Sequence, residues 1–175
     1  RLRNVCRLVP LMGNHEEMML NHLDGRPQPD NWLDFGGAAV LKSYTRADGT
    51  RDIPAAHVAF VRTWGDWHET DTHFFVHASY DPDSPLPLQR WNIHRWHSLR
   101  DGLPGPHASG RTAIVGHTSQ KNGEVFDVGY LKCIDTYCWG GGWLTGFDVT
   151  TGQIWQVDRD GRPRGRKKVE VSRKP

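Results

Sequence analysis

Three short apolar runs along this chain each stop at a polar side chain that could bind a metal ion: residues 8–12, 74–76 and 113–115. Their length and composition predict buried strands. Asn14 follows the first run, His77 the second and His117 the third. Ligands bind outside the carboxyl ends of strands in open α/β sheets. We therefore expect these three side chains to converge on one point at the edge of a sheet.

The rest of the pattern predicts an α/β fold. Helices are predicted over residues 16–23, 38–44 and 55–67, and further strands over residues 131–135, 143–149 and 153–157. Pro54 precedes the third helix, at a position where the missing N–H costs nothing. The Thr151–Gly152 turn predicts that the last two strands form a hairpin. Between these blocks lie a Pro-rich loop and a segment, residues 91–99, that is rich in Trp and His.

Length and composition fit one globular domain with its own core. The chain has 175 residues, of which 37% are hydrophobic and 24% charged. No apolar stretch approaches the roughly 18 residues that a membrane span needs, and no signal segment is evident. The three cysteines, Cys6, Cys133 and Cys138, form no CxxC pair and favour reduced thiols over a disulfide framework. We expect a cytoplasmic protein without a membrane partner.

The basic character of the chain is confined to its end. Residues 158–175 contain eight Lys or Arg and three Asp or Glu, a local net charge of +5, so residues 1–157 carry −3 of the total +2. This Gly, Pro and Arg composition predicts a disordered tail after a domain that covers residues 1–157. No aromatic side chains alternate with these charges, so a nucleic-acid partner is not expected.

The side-chain chemistry at the three strand ends is that of a partial metal shell. An Asn with two His suits a divalent transition metal. Taken singly, however, an Asn–His pair after a strand is usually a turn, and a His at a strand end is usually a hydrogen-bonded structural residue. Glu16 is equally consistent with two roles: a carboxylate in the first turn of a helix, and a side chain that supports the metal ligands without binding the metal. Arg95 is the candidate for phosphate binding, with Arg90 as its rival, because guanidinium groups bind phosphate in a bidentate manner.

Four motifs in a fixed order resemble those of calcineurin-like metallophosphoesterases. They are GNHE at residues 13–16, VHA at 76–78, GHT at 116–118 and CIDT at 133–136. More narrowly, the chain resembles the bacterial serine/threonine protein phosphatases, through residues 32–44, 53–57 and 141–145 between the motifs. The resemblance extends over residues 5–157 and implies a sandwich of two mixed β-sheets flanked by helices.

The resemblance also implies a site for two divalent metal ions of the Mn, Fe or Zn type. Asn14, His77 and His117 match the unshared ligands of the second metal, and His15 matches the group thought to protonate the leaving group. The implied activity is hydrolysis of phosphoserine or phosphothreonine in a protein or peptide. A metal-bridging hydroxide attacks phosphorus, and His15 acts as general acid.

The sequence departs from the family in one large respect. The family motifs GDxHG and GDxxDRG, which supply the ligands of the first metal and the bridging aspartate, do not occur in it. Ser79 and Tyr137 replace family glycines. We therefore expect an N-terminally truncated domain that lacks its first strands and helices and is inactive alone, with Mn²⁺-dependent activity returning with the upstream segment. Two alternatives remain open: a dinucleoside tetraphosphate hydrolase, and a noncatalytic module that binds phosphoproteins or one metal.

Overall fold

The chain folds into two compact units, Arg1–Asp66 and Trp67–Pro175. The computed structural model describes residues 2–27 and 31–168. The prediction of one domain over residues 1–157 stays a prediction. None of the helices in the described residues is long and apolar enough to cross a membrane.

Helices dominate the first unit. Helix α1 is Asn14–Leu23, α2 is Ala38–Ser43 and α3 is Ala55–Val61. All three were predicted at these places, but α1 begins two residues early and α3 ends well before residue 67. Glu16 accepts a hydrogen bond from the Gly13 N–H at 3.1 Å, which satisfies an orphan donor at the start of α1. The carboxylate of Glu16 therefore caps the N-terminus of α1.

The predicted strand over residues 8–12 is wrong. Only Leu11 forms a β-bridge, to Gly65, and Leu8 and Val9 are 38% and 42% exposed. The Met12 N–H donates to the Gly65 carbonyl at 2.7 Å, and the Gly65 N–H donates to Pro10 at 3.3 Å. The same contact explains the early end of α3, because Gly65 is used in an extended pairing that a helix cannot make.

A five-stranded sheet forms the centre of the second unit. Its strands are β1 (Trp67–Glu69), β2 (His73–Val76), β3 (Thr112–Val115), β4 (Phe126–Asp127) and β5 (Leu131–Cys133), in the order β1-β2-β3-β5-β4. The three central strands β2, β3 and β5 are parallel, whereas β1 and β4 pair antiparallel at the edges. Their carboxyl ends therefore meet at one edge. The predicted strands over residues 74–76 and 113–115 are confirmed, and the strand predicted over residues 131–135 is confirmed but ends at Cys133.

The core of this unit explains why these segments are strands. In β2 the burial alternates, with Phe74 and Val76 inside, whereas β3 buries Ala113, Ile114 and Val115 in succession. A continuous apolar run of this kind is typical of a central parallel strand covered on both faces. The buried cluster comprises Phe74, Val76, Tyr80, Leu86, Ala113, Val115, Leu131 and Cys133. Helix α4, Trp91–Trp96, lies within the Trp- and His-rich segment.

A second, antiparallel sheet consists of β6 (Leu144–Phe147), β7 (Gln153–Val157) and β8 (Pro163–Lys168). The predicted hairpin of β6 and β7 is confirmed. Strand β8 corrects the prediction of a disordered tail from residue 158, because it pairs with β7 along its length. The reason is backbone pairing together with Arg164, which donates to the Gly123 carbonyl at 2.7 Å and forms an ion pair with Glu124 at 2.7 Å. Residues 169–175 lie outside the described part of the chain.

Candidate functional site

Two histidines meet at the carboxyl edge of the parallel strands. His77 directly follows β2, and His117 follows β3 after one glycine. The two imidazole rings lie 5.3 Å apart between centroids, with an angle of 61° between their planes. Both side chains are half-buried. The expectation that these two strand ends bring their histidines together agrees with this geometry.

Gly116 sets the distance between the two strand ends. Its N–H donates to the His77 carbonyl at 2.8 Å, which continues the parallel pairing of β2 with β3 one step beyond Val115. A Cβ at this position would lie 3.3 Å from that carbonyl oxygen. Few side chains tolerate so close an approach, so a glycine lets the two histidine-bearing segments come together.

His117 adopts a left-handed backbone conformation with φ of 60°. The Thr118 N–H donates to the Gly116 carbonyl, two residues back, so His117 is the central residue of a γ-turn of the strained, positive-φ type. The Thr118 hydroxyl in turn accepts a hydrogen bond from the Leu99 N–H at 2.8 Å. The chain leaves the direction of β3 at this turn. The hydrogen bond from Leu99, in the loop after α4, holds the turn in place.

A buried thiol packs against the turn at His117. The Cys133 thiol at the end of β5 is buried and lies 3.4 Å from the Thr118 carbonyl oxygen. Burial raises the pKa of this thiol, and the nearby Asp135 carboxylate adds to the effect. Cys133 therefore stays protonated and serves as packing rather than as a thiolate ligand.

The separation of the two rings suits one shared metal ion. Imidazole nitrogens bind divalent transition metals at about 2.0–2.1 Å, which places each ring centroid about 3 Å from the ion. At a tetrahedral angle two such rings have centroids about 5 Å apart, close to the observed 5.3 Å. Neutral imidazole is also the commonest metal ligand in proteins. His77 and His117 thus fit two positions of a metal shell.

Two histidines do not complete that shell. Across residues 2–27 and 31–168, no three His, Cys, Asp or Glu side chains are grouped so that they could hold a metal. Asn14 is buried at the first position of α1, and His15 beside it is exposed. Both belong to the first unit, whereas the two strand-end histidines belong to the second. The assignment of Asn14 as a third ligand and of His15 as general acid stays a prediction.

The candidate phosphate-binding arginine lies on α4. The Arg95 guanidinium is 5.1 Å from the ring centroid of Trp91, one helical turn earlier. The neighbouring His94 accepts, through its carbonyl, a hydrogen bond from the Ala78 N–H at 2.7 Å. This bond joins α4 to the residue after His77. Arg90 precedes the helix and is exposed. The assignment of Arg95 to phosphate binding stays a prediction.

Asp135 is a residue of this edge to which the sequence assigned no role. It follows β5 after one residue, as His117 follows β3, and its Cβ lies 3.9 Å from the place of a Gly116 Cβ. One carboxylate oxygen accepts from the Ser119 hydroxyl at 3.0 Å and the other from the Tyr137 N–H at 3.1 Å. Asp135 thereby ties the loop after His117 to the loop after β5. The same strand-end position that singles out the histidines would have revealed it.

Comparison with known proteins supports the fold. No family model matches the chain, and no curated protein matches it. A solved structure described as that of a "putative diadenosine tetraphosphatase" matches with a TM-score of 0.58 and 17% identity, over 84% of this chain. The chain spans 66% of that neighbour's length. The predicted α/β fold is thus confirmed, and at this identity the likeness concerns the fold alone.

Proposed function

We propose that this chain carries part of the active site of a metal-dependent phosphoester hydrolase. The observation that carries the proposal is the pair of His77 and His117, whose rings lie 5.3 Å apart at the carboxyl ends of adjacent parallel strands. Ligand sites of α/β sheets lie at this edge. The strained backbone of His117 adds support, because such strain is concentrated at functional positions.

The residues of the chain have separate parts in this proposal. His77 and His117, both neutral, would hold a divalent ion, and Gly116 and Asp135 keep their loops in place. A bound divalent ion supplies a water of lowered pKa and a clamp for phosphate oxygens. His15, as an imidazolium, would give its proton to the leaving oxygen as the phosphorus–oxygen bond breaks. A serine or threonine alkoxide is a poor leaving group, so this proton is worth about 10²–10⁴-fold in rate.

Phosphoserine or phosphothreonine in a protein or peptide is the first substrate class that we propose. It follows from the order of the GNHE, VHA and GHT motifs and the segments between them. A dinucleoside tetraphosphate is the second class, favoured by the description of the structural neighbour. A noncatalytic module that binds a phosphoprotein or a metal is the third candidate, and hydrolysis distinguishes it from the other two.

The direct test measures hydrolysis by the natural protein that contains this chain, at its full length. We expect p-nitrophenyl phosphate hydrolysis that is lost on treatment with a chelator and restored by Mn²⁺. Changing His15→Asn should lower kcat by about 10²-fold or more while metal content stays near normal, since proton donation acts in the transition state. His57→Ala, an exposed histidine on α3, is the matched control and should change neither. Loss of metal with unchanged turnover per bound metal would contradict the role given to His15.

A further inference from the structure

An exposed tryptophan stands beside the loop that carries His117. Trp139 lies in a short 3₁₀ turn, Cys138–Gly140, and its side chain is 77% exposed. Large apolar side chains at the surface are common singly, and exposure alone indicates nothing. The hydrogen bond that holds this indole distinguishes Trp139 from a tryptophan that is merely exposed.

A chain of three hydrogen bonds, of which the first is made by the indole itself, links Trp139 to the candidate site. The Trp139 Nε1–H donates to the Ser119 hydroxyl at 3.2 Å, and that hydroxyl donates to Asp135 at 3.0 Å. Asp135 also accepts from the Tyr137 N–H at 3.1 Å. Ser119 follows His117 by two residues. The polar edge of the indole is thus used within the protein, while most of the side chain is exposed at the surface.

The two residues that hold the indole, Tyr137 and Ser119, each lie close to a cationic side chain. The Tyr137 ring meets Trp139 edge to face, with centroids 4.9 Å apart at 73°. The Lys121 ammonium lies 6.0 Å from the Tyr137 ring centroid. Arg100 donates to the Ser119 carbonyl at 2.8 Å, so a guanidinium is attached to the same loop. An exposed aromatic ring on a loop that also holds cations suits a ligand that joins a flat ring to phosphate groups.

We propose that Trp139 is a stacking platform for a nucleobase, and that the substrate of the hydrolase carries a nucleoside on its phosphate chain. This inference rests on the proposed function and selects, of the substrate classes proposed for the same site, the one that carries a nucleoside, in place of a phosphorylated peptide. The base would stack on the indole, while the phosphates extend past Ser119 towards His117. Held in place by Ser119 and Tyr137, the indole gives up little conformational freedom when a ring stacks on it. Trp139 is in this account a specificity-determining residue that does not take part in bond breaking.

The test compares two ligands that differ only in the nucleoside, ATP and inorganic tripolyphosphate, by calorimetric titration in excess Mg²⁺. The unmodified protein should bind ATP more tightly than tripolyphosphate. Trp139→Ala should weaken ATP binding by about 5- to 100-fold, the loss that accompanies removal of one stacking aromatic, and should leave tripolyphosphate binding unchanged. Trp139→Phe should restore most of the ATP affinity. Trp155→Ala, at a tryptophan on β7 that is 42% exposed, is the matched control and should affect neither ligand.

Several results would overturn the proposal. They are an equal loss of affinity for both ligands, no loss for either, or a Trp139→Ala defect confined to a phosphoserine peptide. The first would indicate that Trp139 only supports the loop, and the last would indicate a peptide surface. Hydrolysis is scored separately, on p-nitrophenyl phosphate. Base-dependent binding through Trp139 in a protein that hydrolyses nothing would support the platform and contradict the hydrolase.

Discussion

His117 has the most constrained backbone of the residues proposed to bind metal. A left-handed conformation costs a residue with a Cβ about 1–2 kcal/mol, and the φ of His117 is 60°. The structure holds it there through the Gly116 N–H bond to His77 and the bond from the Leu99 N–H to Thr118. Glycine would adopt this φ without the cost. The presence of an imidazole here indicates that the side chain is needed for something other than folding.

Replacement of His117 should separate its backbone cost from its chemical role. We expect His117→Gly to be more stable than His117→Ala by about 1 kcal/mol, because only glycine relieves the positive φ. Both variants remove the imidazole and should lose the same bound metal. Urea denaturation of the two variants measures the difference. Equal stabilities would show that the γ-turn at His117 is absent in solution.

The elements that the sequence predicted best are those whose pattern is local. β2, β3 and β7 follow from apolar runs with clear ends, and the β6–β7 hairpin follows from Thr151 and Gly152. The prediction fails where a distant partner decides, as in residues 8–12, which have an apolar run but form only one bridge to Gly65. It fails again at β8, because the basic composition of this segment predicts disorder, whereas the segment forms a strand that pairs with β7. The periodicity of a segment predicts its own secondary structure, but it does not identify the segment with which it pairs.

The turn after β5 depends on a glycine, Gly142. The Gly142 N–H donates to the Tyr137 carbonyl at 2.7 Å, and a Cβ on Gly142 would collide with the Thr136 carbonyl oxygen. Gly142→Ala should therefore destabilise the fold by about 2 kcal/mol, as overpacking against backbone does. Gly102→Ala is the control, since nothing lies within 4 Å of its added Cβ. Similar urea midpoints for the two variants would argue against this packing.

At the scale of the whole molecule, the residues with proposed roles in the reaction belong to two different units of the chain. The second unit brings His77 and His117 together, and the first holds Asn14 and His15 at the start of α1. Sequence reasoning could predict the histidine pair because parallel strands end at one edge of a sheet. It assigned no role to Asp135, although this residue also follows a parallel strand, and it passed over Trp139, whose position depends on a hydrogen bond to the Ser119 hydroxyl rather than on periodicity.

Metal content measured directly on histidine variants tests the central claim, that His77 and His117 hold a divalent ion. The measurement is equilibrium dialysis of the full-length natural protein against Mn²⁺ or Zn²⁺, followed by elemental analysis of the protein. We expect His77→Ala combined with His117→Ala to retain at least one metal equivalent fewer than the unmodified protein, because both imidazoles of the shell are lost. His57→Ala should retain the full amount. Full metal content in the double variant, with the fold intact by circular dichroism, would contradict the claim.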